Sequence, residues 1–239
     1  MTSGAKMEKE IIITLVVCAV AIGLGIVLGN GAVYVFNHIP GKWLVDYGKE
    51  PDEELLHPTT QRIKSIPWKY VFTGLFIALG IYLGTRDWIY AIPAIFAIWL
   101  LLEMSIADIK YMIVPDEYIL LLLVTAIGFI PEHGIKDMLI GAGLGLVVLG
   151  LMALISKLIY KKPGIGGADV KLYITLGLIA GSLGVIEIFI MSTLISAVHL
   201  IILLAQKKVT LKDKRPMVPY IAIAATIYIV FLKGVIIHI

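Results

Sequence analysis

The sequence predicts an all-α protein that crosses a membrane several times, on the strength of its composition and its apolar runs. Of its 239 residues, 59% are hydrophobic and 15% are charged, whereas about 25% are charged in ordinary soluble domains. As a helix rising about 1.5 Å per residue, each long apolar run crosses a hydrocarbon core about 30 Å thick. The composition therefore argues against a water-soluble enzyme.

The basic residues and the single cysteine narrow the possible partners. The net charge of +3 does not indicate nucleic acid, because the basic residues lie in short loops between apolar runs, where they orient helices. Cys18 is the only cysteine, so neither an intrachain disulfide framework nor a cysteine-rich zinc site is possible. We expect no metal, no cofactor and no nucleic-acid partner, and we expect the lipid bilayer as the surroundings.

The apolar pattern divides the chain into three regions. Residues 1–36 hold a first helix that is too long for the apolar core of a cleaved signal peptide and lacks a small-residue cleavage site. Residues 37–69 form the only long polar stretch and are predicted to be a cytoplasmic loop. Residues 70–239 are predicted to be a seven-helix membrane domain, for a total of about eight spans.

Within the membrane domain, one apolar run is too long for a single span. Four shorter runs follow the polar stretch, at 70–84, 88–106, 118–130 and 135–160. The next run, residues 170–205, would be roughly 54 Å long as one helix, far beyond the hydrocarbon thickness. We therefore predict a turn at Gly181, Ser182 and Gly184, with one span on each side and a last span at 217–237.

The distribution of Lys and Arg orients these spans. Fifteen of the 20 basic residues lie in one set of loops and five in the other, and cytoplasmic loops carry the excess of positive charge. Four segments are thereby placed in the cytoplasm, namely 37–69, 105–117, 156–171 and 206–216. The protein is expected to be a multi-pass protein of the plasma membrane with both termini on the opposite side.

Two of the cytoplasmic loops carry an aspartate at a helix boundary. Asp108 follows the apolar run at 88–106, and Asp169 follows a Gly-Ile-Gly-Gly-Ala sequence at 164–168. Ionisable groups at the ends of apolar helices are costly unless they serve a function. Because two predicted spans separate the loops, both aspartates lie on the same side of the membrane and can meet.

A pair of aspartates has a definite chemistry. Two carboxylates within hydrogen-bond reach cannot both ionise easily, so the pair shares one proton. The ionised carboxyl takes a proton from an attacking water while the protonated one polarises an amide carbonyl, as in aspartic proteases. The chain has no GxSxG or HExxH sequence that would indicate another mechanism. The alternative is that each aspartate caps a helix.

Gly166 and Gly167 have a physical use before Asp169. Without a Cβ, they allow a tight turn and let a substrate backbone approach the carboxylate. The alternative is an ordinary flexible loop. A phosphate-binding loop does not fit, because its lysine is missing from this segment.

At these residues the chain resembles the type IV prepilin peptidases, intramembrane aspartic proteases of the GxGD class that include the archaeal preflagellin peptidases. Asp108, Pro115 and Asp116 match the family's aspartate followed seven residues later by proline and Asp or Asn. Residues 166–172, Gly-Gly-Ala-Asp-Val-Lys-Leu, match its GxGDxKL. These two motifs together are specific.

Weaker similarities and two departures accompany the motifs. Residues 29–40 are similar to the end of the family's first helix, and residues 216–220 are similar to the Pro-Phe-Gly-Pro opening of its last helix. Ala168 replaces the second motif glycine, so a positive φ is not expected there. The stretch 37–69 has no cysteine, whereas bacterial members commonly carry two cysteine pairs there, and we therefore do not expect N-methylation activity.

The resemblance implies an aspartic endopeptidase. Its substrates would be pilin-like or archaellin-like precursors, from which it removes a short basic leader at the cytoplasmic face. Asp108 and Asp169 would be the catalytic acids. The motif residues around them would shape the approach of the substrate: Pro115, Asp116, Gly166, Gly167, Ala168 and Lys171.

Three other ionisable residues near the motifs have simpler interpretations. Asp116 follows a proline and opens an apolar helix, so we expect it to cap that helix. Lys171 is two residues from Asp169, a spacing at which helical side chains diverge, so we expect it to anchor at the membrane interface. Glu103 lies inside an apolar run, which is costly, and it is a candidate to tune the site.

An acidic cluster lies in the polar stretch, against the sign of the loops around it. Residues 46–54 contain five acids and one lysine. A leader rich in Lys or Arg would be drawn to such a cluster. We therefore identify four acids as candidates for steering the substrate, Glu50, Asp52, Glu53 and Glu54, with an ordinary solvated loop as the alternative.

Two other classes of function remain open at this stage. A small proton-coupled transporter also uses intramembrane acids, and a structural subunit of a pilus or archaellum machine would not need them. The transporter is tested by whether a variant with both aspartates changed to asparagine still moves a solute, and in a structural subunit both acids would be dispensable.

Overall fold

The chain is helical throughout the part that the computed structural model describes, which comprises residues 3–46, 48–57, 61–161, 166–210 and 213–232. Over these residues there is no β-strand. The helices are α1 Ser3–His38, α2 Glu53–Leu56, α3 Ser65–Gly84, α4 Trp88–Tyr111, α5 Asp116–Thr125, α6 Ile130–Tyr160, α7 Gly167–Ala205 and α8 Val218–Ile227. Short 3-10 turns cover Gly41–Leu44 and Ala126–Phe129, and a π turn, Tyr228–Leu232, follows α8.

Five helical segments of the described residues are long and apolar enough to cross a membrane. These are Met7–His38, Ser65–Gly84, Trp88–Tyr111, Asp116–Leu158 and Gly167–Ala205, and Val218–Leu232 is a shorter apolar helix. The predicted class, an all-α protein with several spans, is confirmed. The predicted count of about eight spans is not confirmed by length and composition alone.

Two of the five segments are much longer than a bilayer is thick. They contain 43 and 39 residues, which corresponds to about 60 Å as straight helices. Each is interrupted by a glycine at positive φ, Gly134 at φ 71° and Gly181 at φ 71°. Residues other than glycine rarely adopt this region. These two glycines are therefore the points at which the long segments change direction.

The chain reverses at Gly181, as the sequence predicts. The hydroxyls of Tyr173 and Ser192 lie 2.6 Å apart although the two residues are 19 positions apart. On a straight helix they would be about 28 Å apart. The rings of Tyr173 and Phe189 also meet edge to face, with centroids 6.0 Å apart. The two halves of α7 therefore run side by side.

The chain divides into two compact units. One comprises Met1–Lys42 and Glu50–Trp99, and the other comprises Trp43–Lys49 and Leu100–Ile239. The boundary falls within α4, which begins in the first unit and ends in the second.

In the first unit, α1 and α3 pack closely through two glycines. A Cβ on Gly25 would collide with Ile77, and a Cβ on Gly29 would collide with the backbone of Thr73. Small residues allow helix backbones to approach in this way within a membrane. The close packing fixes the two helices as one layer.

The end of α1 is capped by the segment that precedes α3. The Arg62 guanidinium donates hydrogen bonds to the carbonyls of Phe36, at 3.1 Å, and Ile39, at 2.7 Å. The Asn37 side chain and the Ile63 backbone exchange hydrogen bonds of 2.9 and 3.1 Å. The last carbonyls of a helix lack partners within it, so these contacts hold the polar stretch against α1.

In the second unit, α6 and the first half of α7 are antiparallel. Gly141 lies against the backbone of Gly177, and Gly145 lies against the backbone of Tyr173. α8 packs on the turn of α7, where the Tyr228 hydroxyl donates to the carbonyl of Ala180 at 2.9 Å. The contact at Tyr173 places α6 one turn away from Asp169.

Candidate active site

Asp108 lies in the last turn of α4 and is buried, with 7% of its surface exposed. α4 runs to Tyr111, so this aspartate is inside a helix, and the predicted loop at 105–117 is shorter than expected. The helix ends because Met112 adopts a left-handed φ of 53°, a common way to end a helix. The buried position keeps the Asp108 carboxylate fixed.

A hydrogen bond from another helix holds this carboxylate. The backbone N–H of Val218 donates to Asp108 Oδ2 at 2.8 Å. Val218 opens α8, in the segment that resembles the start of the family's last helix. The alternative that Asp108 caps a helix is thus partly correct, although the helix is α8 and not its own. Sequence reasoning missed Val218, and only the similarity of residues 216–220 could have indicated it.

Asp169 is the third residue of α7, and its carboxylate points back to the start of the helix. Gly166, the N-cap residue, donates its backbone N–H to Asp169 Oδ2 at 3.3 Å. Gly166 has an extended conformation, with φ −70° and ψ 144°. The need for a positive φ therefore does not explain why this residue is a glycine. The explanation is steric, because a Cβ there would lie 3.2 Å from the Asp169 carboxylate oxygen.

The other two residues of this motif make no comparable contact. A Cβ at Gly167 would meet nothing within 4 Å. Ala168 is helical, in line with the expectation that its φ is not positive. Of the two glycines at 166 and 167, only Gly166 has a neighbour that an added Cβ would crowd.

Asp108 and Asp169 lie near enough for their charges to interact. Asp108 lies close enough to Asp169 to repel its negative charge, and Asp169 acts in the same way on Tyr173, one turn further along α7. Two carboxyls within hydrogen-bond reach of each other share a proton, and such a pair activates a water and polarises a carbonyl. In the part of the chain that is described, no three His, Cys, Asp or Glu side chains are placed to bind a metal ion.

One sequence prediction about the flanking motif residues is wrong, and another is incomplete. Asp116 does not cap α5, because Pro115 occupies the N-cap position without a side-chain hydrogen bond. Instead, the Lys171 ammonium donates to both carboxylate oxygens of Asp116, at 2.7 and 2.8 Å. Lys171 is therefore an ion-pair partner and not only an interfacial anchor. The opposite charge within reach explains why the carboxylate turns away from its own helix.

Glu103 is fully buried in α4, at 0% exposure. It accepts a hydrogen bond of 3.3 Å from the hydroxyl of Tyr118 in α5. A carboxyl in such surroundings is costly unless it has a partner, and Tyr118 supplies one. The sequence gives no indication of this partner, because the two residues lie on different helices.

The acidic cluster is characterised by its exposure and its pairing. Glu50, Asp52 and Glu53 are exposed, and the side chain of Glu54 lies outside the described residues. Asp46 is paired with Lys49 at 2.5 Å. The hydrogen bond and charge of that lysine lower the pKa of Asp46, so this acid is ionised but already compensated.

Comparison with known proteins agrees with the sequence motifs. The profile of the type IV leader peptidase family matches residues 94–201. A prepilin leader peptidase/N-methyltransferase of Bacillus subtilis is 29% identical over 163 residues, which cover 67% of this chain and 62% of the relative. A protein of the same name from Pseudomonas aeruginosa is 32% identical over 134 residues, 54% of this chain and 46% of the relative.

These relatives are longer than the matched part of the chain. A third, from Xanthomonas campestris, is 32% identical over 140 residues, or 56% of this chain and 47% of the relative. The chain thus spans between 46% and 62% of the length of these three proteins. No solved structure matches it. The matched segment, 94–201, contains both Asp108 and Asp169, and over this segment the chain is similar to the type IV leader peptidase family.

Proposed function

We propose that the protein is an intramembrane aspartic endopeptidase that removes the short basic leader from pilin-like or archaellin-like precursors. The observation that supports this proposal is the charge interaction between Asp108 and Asp169, which lie at helix ends of the same unit. The relatives that match this segment are named prepilin leader peptidases. The proposal covers peptide cleavage and not the N-methylation that their names also include.

The two aspartates would act as a general acid and a general base. One is ionised and takes a proton from a water molecule, whose oxygen attacks the carbonyl carbon of the scissile peptide bond. The other is protonated and donates a hydrogen bond to the carbonyl oxygen. Collapse of the tetrahedral intermediate breaks the C–N bond, and a proton passes to the leaving amine.

The reaction takes place at the cytoplasmic face of the plasma membrane in this proposal. The support is the excess of Lys and Arg in the loops that flank the aspartates. The glycines at 134 and 181 divide the two overlong segments, which favours eight spans with the stretch 37–69 as a cytoplasmic loop and 70–239 as the membrane domain. The substrate's apolar helix would lie in the bilayer, and its end must unwind to present an extended peptide bond.

A direct assay tests the proposal. The purified protein is incubated in detergent or lipid with a panel of leader-bearing precursors, and the products are separated by size and weighed. We expect a shortened product without an added methyl group, and no shortening with Asp108→Asn or Asp169→Asn. Absence of cleavage for every precursor, or cleavage by either variant, would refute the proposal.

A further inference from the structure

The first turn of α5 is joined by side chains to both helices that carry the candidate catalytic acids. Asp116 in this turn pairs with Lys171 of α7. Tyr118 in the same turn donates a hydrogen bond to Glu103 of α4. The mechanism proposed above uses none of these four side chains. All four lie in the same compact unit as the aspartates.

The contact with α7 is made by an exposed but well-formed ion pair. Lys171 Nζ lies 2.8 Å from Asp116 Oδ1 and 2.7 Å from Oδ2, across 55 residues of chain. The two side chains are 54% and 65% exposed. Exposed ion pairs add little to folding stability, so the fold does not depend on this one. Since Lys171 is two residues from Asp169, the pair fixes the start of α7 relative to α5.

The contact with α4 is made by a buried hydrogen bond. The Tyr118 hydroxyl lies 3.3 Å from Glu103 Oε2, and the two residues are 2% and 0% exposed. Trp43 packs edge-on against the Tyr118 ring, with centroids 6.1 Å apart. Because a buried carboxyl requires a partner, this bond holds α5 against the helix on which Asp108 lies.

We propose that Asp116, Lys171, Tyr118 and Glu103 form a positioning clamp that sets the separation of the two candidate catalytic acids. The clamp rests on the proposed function, since it acts on the same site. Its members act through the helices and are not catalytic residues. The separation matters because two carboxyls share a proton only within hydrogen-bond reach. Small displacements at a reacting site also cost large factors in rate.

Cleavage kinetics test the α7 side of the clamp. Asp116→Asn and Lys171→Met should each lower kcat about 10- to 100-fold with little change in KM or melting temperature. Because both remove the same pair, the double variant should be no slower than either single variant. Lys171→Arg keeps the positive charge and is able to donate to both carboxylate oxygens, so it should retain most of the rate. Losses that multiply in the double variant would overturn the clamp.

A matched control removes a charge from the same turn without touching the pair. Glu117→Gln neutralises the neighbouring acid in the first turn of α5. We expect its kcat to equal that of the wild type. A loss equal to that of Asp116→Asn would show that the charge of the helix start matters and not the ion pair, which would also overturn the clamp.

A distance measurement tests the clamp without any peptidase activity. Spin labels are placed on Ile109→Cys, next to Asp108, and on Gly167→Cys in a Cys18→Ala background. Ile109 is 58% exposed and a Cβ at Gly167 meets open space, so both positions accept a label. Electron paramagnetic resonance should show a distance distribution that is broadened or shifted by Asp116→Asn and unchanged by Glu117→Gln.

The same labels test the α4 side. Tyr118→Phe removes only the hydroxyl that donates to Glu103 and should also broaden the distribution. Distributions unchanged by both Asp116→Asn and Tyr118→Phe would refute the clamp. If the wild type cleaved no precursor, the proposed function would fail while the distances would still decide whether the clamp exists.

Discussion

The Asp108 carboxylate accepts a hydrogen bond from the backbone N–H of Val218 at 2.8 Å, across 110 residues of chain. Val218 is the first residue of α8, and its N-cap residue, Met217, provides no side-chain acceptor. The first N–H groups of a helix have no partner within it, so Asp108 supplies the acceptor from α4. The position of one candidate catalytic acid thus depends on the last described helix.

This relationship separates the chemical role of Asp108 from its structural role. Asp108→Asn and Asp108→Ala should both abolish cleavage, because neither side chain exchanges a proton. Asn keeps an oxygen that accepts the Val218 N–H, whereas Ala leaves it unsatisfied at a cost of about 1 kcal/mol. We therefore expect a normal melting temperature for the Asn variant and a lower one for the Ala variant.

Cleavage assays and thermal melting in the same detergent measure both effects. Asp169→Asn is the companion variant and should be equally inactive. If Asp108→Asn retained substantial turnover, the pair of aspartates would not be the catalytic group. If the Asn and Ala variants had the same melting temperature, the hydrogen bond to Val218 would not contribute to stability.

The sequence predicts the features that follow from composition and local pattern. The long apolar runs indicate the membrane class, and the excess length of residues 170–205 indicates the turn at Gly181. Contacts between distant residues are not predictable in this way. Lys171 and Asp116 are 55 positions apart. The spacing rule for helices correctly predicts that Lys171 does not pair with Asp169, but it cannot identify a partner on another helix. The prediction that Asp116 caps α5 is wrong because the capping rule considers only the helix to which the residue belongs.

Gly166 should be sensitive to a methyl group, whereas its neighbour should not. A Cβ at Gly166 would lie 3.2 Å from Asp169 Oδ2, tighter than an ordinary contact, but a Cβ at Gly167 would meet nothing within 4 Å. Gly166→Ala should displace the carboxylate and lower kcat about 10-fold or more, with little loss of stability. Gly167→Ala is the matched control and should keep its rate.

Initial rates at saturating precursor distinguish the two variants. Equal rates for Gly166→Ala and the wild type would mean that the carboxylate tolerates the methyl group. A Gly167→Ala rate as low as that of Gly166→Ala would point to substrate approach along the whole segment.

Gly181 should be a glycine whose replacement destabilises the second unit. Its φ of 71° and ψ of −172° lie in a region that essentially only glycine adopts, and a Cβ there would collide with the Asp137 carboxylate. Gly181→Ala should cost about 1–3 kcal/mol from backbone strain alone. Gly143→Ala is the control, since that position is helical and open. It should be neutral or stabilise by about 0.5–1 kcal/mol.

Thermal melting and the yield of folded protein measure the two glycine variants. A Gly181→Ala protein as stable as the wild type would mean that α7 reverses by another route. A Gly143→Ala protein as unstable as Gly181→Ala would mean that any added methyl group in this unit is harmful.

The acidic cluster gives a prediction about substrate capture. Replacing Glu50, Asp52, Glu53 and Glu54 by Gln or Asn should raise KM for a basic leader and leave kcat nearly unchanged, because steering acts on encounter and not on chemistry. The difference should be largest at low salt, since exposed charges are screened over about 8 to 10 Å at moderate ionic strength. Asp46 is left in place because Lys49 already compensates it.

A control variant tests whether removing acids elsewhere on the chain has the same effect. Glu8→Gln with Glu10→Gln neutralises two exposed acids near the N-terminus, on the side that the proposed orientation places outside. Initial rates are measured against precursor concentration at low and high salt for the wild type and both variants. Only the quadruple variant should show a raised KM and a weakened dependence on salt. Curves that coincide with those of the wild type would leave residues 50–54 as solvated surface and end the steering hypothesis.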